Sequence, residues 1–499
     1  MKLIRRDCLR LGAAAGAGTL LSGCSRVIHR YTPPTLAKSI ALPAGVTEPT
    51  VRLINRLSFG PIPGEVERVA SMGAAHYIEE QLNPDETEEL SLTLRLRGID
   101  AFHEDAIDMR DVREKEVLRQ LQQAGLLHAV YSRHQLRERL VDFWGNHFNI
   151  YARKGNGVYF KPNDEMNVIR KHALGTFPDL LRASAHSPAM LGYLDNQVNQ
   201  RGVANENYAR ELMELHTLGV HGGYTQKDVQ EVARCLTGWT IEDRFLHRKG
   251  TFRFDESHHD NGTKTVLGVT IPAGGGQQDG EKVLDILAKH PSTAHFIARK
   301  LCRYFLGNGD SPWTQKLAEI YLKTNGDIRS MLRPLFLSPE FLNAPPIMKR
   351  PLDFMVSALR ALNADTDANT ALQEHLAHMG QPLYQWPMPD GYPDRTTAWT
   401  GSLLARWNFA FALTTGSIKG TTVDLPALMK AAHATTGIEY GDALFALILG
   451  EHTETAALQP LRNKLHDHLA QIPPSNGKNN PIMAEVAALL LSCPQFQWR

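Results

Sequence analysis

Asn205-Glu-Asn-Tyr-Ala-Arg-Glu-Leu-Met-Glu-Leu-His-Thr-Leu-Gly219 is the stretch on which the fold turns. At about 100° per residue it reads as an amphipathic helix, with Tyr208, Leu212, Leu215 and Gly219 grouped on one face. His216 falls inside that apolar sector, stacked after Asn205, Ala209 and Leu212. Glu206, Arg210 and Glu214 share the other side at spacings that suit i,i+4 ion pairs, so a solvated or inter-helix salt-bridge stripe is their simplest reading. Glu211 sits at the border of the apolar face and is the more informative carboxylate.

Working outward, residues 135–149 repeat the pattern: Leu136, Leu140, Phe143 and Trp144 form a stripe that contains His147. Further helices fit 104–135, 163–174, 176–186, 225–238, 279–289, 291–306, 313–324 and 327–337. Ser187-Pro188 breaks one helix and starts another, and Thr225 with Asp228 resembles a shortened capping box. The one clear β signal is Thr251–Phe254 and Lys264–Leu267, flanking Asn261-Gly262. The expected architecture is therefore mainly α, a multi-helix globular body with a small β-hairpin insertion near 251–267. It covers residues 50–499, either as one body or with a C-terminal helical subdomain from about 350.

Two helices thus aim an imidazole inward, and buried ring nitrogens need partners. One reading makes His147 and His216 hydrogen-bonded core residues. The other makes them ligands of a divalent metal or haem-type group in the helical core, with Glu211 and Asp195 as the nearest carboxylates and candidate catalytic groups. No His-Glu-x-x-His or Glu-x-x-His spacing is present, so metal identity is left open. A second polar cluster, His258-His259-Asp260, reads either as a solvent-facing turn or as a lid over a pocket. The aromatic-rich run Trp386-Pro-Met-Pro-Asp-Gly-Tyr-Pro393 suits packing on helices or gripping a ligand, with Trp386, Asp390 and Tyr392 as its candidate binding residues.

Composition narrows the classes. With 42% apolar and 21% charged residues the 499-residue chain is ordinary globular protein rather than disordered or repetitive polymer. A net charge of +1 gives no global field for nucleic acid, which is not expected as a partner. No Gly-x-Ser-x-Gly elbow, Walker loop or dinucleotide fingerprint appears, which disfavours the corresponding hydrolases, NTPases and dehydrogenases.

The N-terminus reads as an address. Arg5 and Arg6 precede a short apolar run from Gly12 to Leu21, too short to span ~30 Å of hydrocarbon. The paired arginines resemble a twin-arginine export signal over residues 1–23, and Leu21-Ser22-Gly23-Cys24 resembles a lipoprotein cleavage box. Cys24 is then the lipid attachment point and 24–49 a Pro-containing tether. Ser25 after the cysteine favours the periplasmic face of the outer membrane in a Gram-negative cell, with the lipid anchor as the membrane contact. Cys235, Cys302 and Cys493 form no zinc box; they read as buried thiols, with a single disulfide among them left open.

The central block 205–219, with Gly222–Gln226 and Ala233–Trp239, resembles the domain of unknown function 1800 family. Matching blocks are Arg52–Gly60, Phe143-Trp-Gly-Asn-His-Phe148, Ser187–Asn196, Lys300–Phe305, Gly326–Phe341 and Pro389–Pro393. The family's activity is not established. The resemblance implies an exported bacterial protein, often encoded beside a second exported family, and so a co-exported partner protein. Two function classes follow: an envelope hydrolase or oxidoreductase that uses a metal or cofactor, and a non-catalytic envelope binding or assembly protein.

Overall fold

The computed structural model describes residues 37–40, 48–85, 89–102, 106–244, 247–450, 459–469 and 481–499. The export signal, with Arg5 and Arg6, and Cys24 lie outside the described residues, as does most of the tether. Among the described residues the architecture is mainly α with only small two-stranded antiparallel ribbons, in agreement with the sequence reading. No helix among the described residues is long and apolar enough to cross a membrane.

The helices start and stop where local chemistry dictates. Thr225 accepts from the Asp228 N–H while the Asp228 carboxylate takes the Thr225 N–H, a full capping box at the head of Gln226–Cys235. Pro188, Pro291 and Pro312 occupy first-turn positions, where a missing N–H costs little. Gly307 and Asn325 close two helices in the left-handed conformation.

Two helical stretches change hydrogen-bond register. Gly157–Asn163 contains Pro162 and runs straight into a π-helical segment, Asp164–Arg170. Proline's missing donor frees a carbonyl of the preceding turn, which is a known cause of such a change. The block read as one helix over 205–219 is Glu206–Glu211 followed by the π-helical Leu212–Thr217. There the Leu218 N–H reaches the Met213 carbonyl at 2.8 Å and the Thr217 hydroxyl donates to the Leu212 carbonyl at 2.6 Å. The wider turn shifts the buried face: Met213, His216 and Thr217 are buried, whereas Leu215 is only half-buried.

The strand segments pair differently from the sequence expectation. Phe252–Phe254 pairs with Trp239–Ile241, and Lys264–Val266 pairs with Val269–Ile271. The second ribbon turns through Leu267 and Gly268, both at positive φ, which is the backbone that a two-residue hairpin requires. For the second ribbon a two-residue turn closes a shorter loop than the nine residues, 255–263, that would join Phe254 to Lys264.

Two hydrophobic cores organise the helices. One draws on residues from Val51 to Ala344 and includes Trp144, Phe177, Leu212 and Phe305. The other joins helix Glu114–Tyr131 to helices from Pro351–Ala361 onward. A buried ionic cluster lies between them. Asp353 of helix Pro351–Ala361 pairs with Arg139 of helix Gln135–His147, with Arg350 at 3.4 Å and with Arg499 at 3.7 Å. The Tyr304 ring is flanked by all three guanidinium groups at 4.9–5.6 Å.

Candidate functional site

The π-helical segment and the C-terminal end of helix Gln135–His147 bring the two histidines together, with ring centroids 6.1 Å apart. His147 is 2% exposed and His216 1%. His147 Nε2 donates to the His216 backbone carbonyl at 3.1 Å. A carbonyl can only accept, so this bond places the ring proton on Nε2 and leaves Nδ1 an acceptor. Lys300 Nζ fills that role, donating at 2.9 Å. Burial first, then the Lys300 ammonium, holds the His147 imidazole neutral well below its ordinary range. The His216 ring has no hydrogen-bond partner for either nitrogen and packs against Phe148, 5.0 Å away. Burial, with Lys300 second, pushes it down to about 3.

Lys300 carries this buried pair to a cavity of about 290 Å³. Its walls include Phe143 and Asn146 from one helix, Lys300, Arg303 and Tyr304 from helix Pro291–Leu306, and the strap 390–396. Lys300, Arg303 and Tyr304 share a helix face by their i, i+3, i+4 spacing. The strap is held by two asparagine amides. Asn146 donates to the Tyr392 carbonyl at 2.9 Å and accepts its N–H at 2.7 Å, while Asn149 donates to the Trp386 and Met388 carbonyls at 3.0 and 2.6 Å. Gly391 sits at φ 78° so close to the helix that a Cβ would lie 2.3 Å from the Asn146 carbonyl. Only glycine permits that approach.

Five basic and two acidic side chains line the cavity. Arg303 is paired with Asp394 at 3.3 Å, and Arg350 with Asp142 and Asp353. Arg499 is 8% exposed; its Nη2 donates to the Tyr304 carbonyl at 3.3 Å, and its Nη1 has no hydrogen-bond partner. Burial lowers the Lys300 ammonium to about 8, with Asp394 opposing and Arg303 reinforcing the shift. A desolvated amine beside a fixed acceptor, in a cavity that the Arg499 guanidinium also lines, is suited to hold an anion and to do nucleophilic or acid–base work on it.

The sequence candidates divide. His147 and His216 converge, Asp390 and Tyr392 line the cavity, and Trp386 packs on Tyr392 at 5.0 Å while donating to Asp390 at 3.1 Å. Glu211 lies within electrostatic reach of Asp390; burial, then Glu214, raises its carboxyl. Asp195 is elsewhere, half-exposed and bound by Lys154 at 2.9 Å. His258, His259 and Asp260 do not line the cavity. His258 is exposed beside Asp255 at 3.3 Å, and Asp260 binds Arg234 at 2.8 Å. His259 is buried, with Nδ1 2.8 Å from the Thr237 carbonyl and Nε2 3.2 Å from Asp279. Cys235, Cys302 and Cys493 are free and buried. Among the described residues no group of three His, Cys, Asp or Glu side chains gathers to hold a metal ion.

Lys300 and Arg499 escaped the sequence reading. Lys300 heads a block that resembles the family, yet nothing in its spacing separates a cavity lysine from a surface one. No curated protein and no solved structure matches the chain. Residues 52–498 match the model of the family described as Protein of unknown function (DUF1800), and the chain belongs to that family.

Proposed function

We propose that this is an exported, lipid-anchored envelope protein that takes a small carboxylate-bearing molecule into the cavity beside Lys300 and acts on it through that amine. The observation that carries the reading is the Lys300 Nζ hydrogen-bonded to neutral His147 in a cavity that Arg499 also lines. A cavity of about 290 Å³ is at the small end of the ~300–1,000 Å³ range for ligand sites, which favours a compact metabolite over a polymer.

Thermal unfolding with lactate, succinate and inorganic phosphate tests the anion. A ligand at a hundred times its Kd should stabilise the fold by about 2.7 kcal/mol. Arg499→Gln should weaken binding roughly tenfold, as loss of one charge-assisted contact. If none of the three anions shifts the transition, the reading fails. The anchor is tested separately: Cys24→Ala should abolish acyl labelling, and labelling that persists would remove Cys24 from the role.

A second reading, an assembly protein working with a co-exported partner, is favoured by one observation. Leu404, Trp407 and Phe411 are exposed along one face of helix Leu403–Thr414. Contiguous exposed apolar side chains of this size mark interaction surfaces more often than single ones do.

A further inference from the structure

We propose that Lys300 captures a small carbonyl-bearing carboxylate, of the 2-oxo acid class, as a covalent imine in the cavity. This rests on the anion-binding reading above and adds to it the identity of the bond formed.

The geometry supplies each part. His147 Nδ1 takes one N–H of Lys300 at 2.9 Å and is itself held as a pure acceptor by the His147 Nε2 bond to the His216 carbonyl. That pins one amine hydrogen and leaves the rest of the amino group to the cavity that Lys300 lines. The Phe296 ring, 5.6 Å from Nζ, forms the apolar side. The groups that face the amine are His147 on the neighbouring helix, Asp390 and Asp394 on the strap, and Arg303 on its own helix. Arg499, which lines the same cavity while its Nε faces Asp353 at 3.7 Å and its Nη2 donates to the Tyr304 carbonyl, is the group suited to a substrate carboxylate. A carboxylate on Arg499 with a carbonyl one bond away is what a 2-oxo acid presents.

The step balances without an oxidant or reductant. The neutral amine lone pair of Lys300 attacks the carbonyl carbon, a C–N bond forms, and the C=O becomes C–OH as one amine proton passes to the oxygen. The C–O bond then breaks, the second amine proton leaves, and the oxygen departs as water. The product is an imine, which hydrolysis reverses.

The experiment uses the purified full chain with pyruvate as the probe and borohydride to reduce any imine, followed by peptide mass spectrometry. The expected result is a reduced adduct on Lys300 at a level about tenfold or more above exposed Lys316 and Lys323, because a desolvated amine is the activated one. Lactate, which has the carboxylate but no carbonyl, should compete. Lys300→Arg retains the charge and should lose the adduct; should that variant fail to fold, the comparison with Lys316 and Lys323 in the unaltered chain decides alone. Adduct on Lys300 no greater than on the exposed lysines overturns the proposal. Stabilisation by lactate and pyruvate without adduct overturns the imine and leaves the anion site standing. If neither ligand stabilises the fold and no adduct forms, both readings fall.

Discussion

Asp353→Ala should destabilise the protein by about 3–5 kcal/mol, the usual cost of removing one partner from a buried ion pair. The reason is the number of cations left behind. Asp353 is buried and holds Arg139, Arg350 and Arg499, and Arg139 is fully buried with Nε and Nη2 already without hydrogen-bond partners. Asp142 can still neutralise Arg350, and the Tyr304 ring still faces all three guanidinium groups, but neither replaces the lost carboxylate. Burial alone would raise the Asp353 carboxyl; the three guanidinium groups outweigh it and hold the carboxyl far below the ordinary range. Its contribution is therefore present throughout neutral and mildly acidic pH and is lost only in strong acid. At ~2–4 °C per kcal/mol, a scale set by domains somewhat smaller than this chain, the melting temperature should fall by on the order of 10 °C. A fall of less than about 2 °C would show that the cluster contributes little. Arg499 belongs to both the cluster and the cavity, so the same variant should also weaken anion binding.

Acid should destabilise the fold through His216, and to a similar degree through His147. In the unfolded chain an imidazole takes up a proton near its ordinary value of 6.5, whereas burial pushes His216 down to about 3. Between those values the unfolded state binds one proton more than the native state. Stability is thus fully present above about pH 6.5 and falls as pH drops, by about 1.4 kcal/mol per pH unit for each such histidine. His216→Phe keeps an apolar ring among Phe148 and Tyr208 and removes two ring nitrogens that have no partner. Denaturant unfolding at several pH values below 6.5 should show the slope of stability against pH reduced by about 1.4 kcal/mol per unit in that variant. An unchanged slope would mean that the native protein protonates His216 and that the ring is not held neutral.

The helix block 205–219 shows where sequence reading stops. Its periodicity placed His216 inward, correctly, because a 3.6-residue wheel depends only on local spacing. It could not show the register change at Leu212–Thr217, which moves Leu215 partly out and Met213 in; that widening is stabilised by tertiary packing and by the Thr217 hydroxyl, not by a propensity visible in the string. The capping box at Thr225, the helix start at Pro188 and the mainly helical class were legible for the same reason: each is a short-range rule. The strand pairing was not: Phe252–Phe254 pairs with Trp239–Ile241 across the intervening residues 242–251, a contact that no short-range rule fixes.

The same division holds at the site. The sequence by itself determined that two imidazoles point inward, and it marked Trp386–Pro393 as an aromatic-rich segment suited to packing or binding. It also carried the family resemblance. Only the tertiary structure decided what those parts face, because 153 positions separate Lys300 from His147 and 246 separate the strap at Tyr392 from Asn146. A lysine's spacing on its own helix is the same whether it meets water or a buried ring. Folding set the difference by desolvating that amine, giving it an imidazole acceptor and placing a guanidinium in the same cavity, and desolvation is a property of packing rather than of order along the chain.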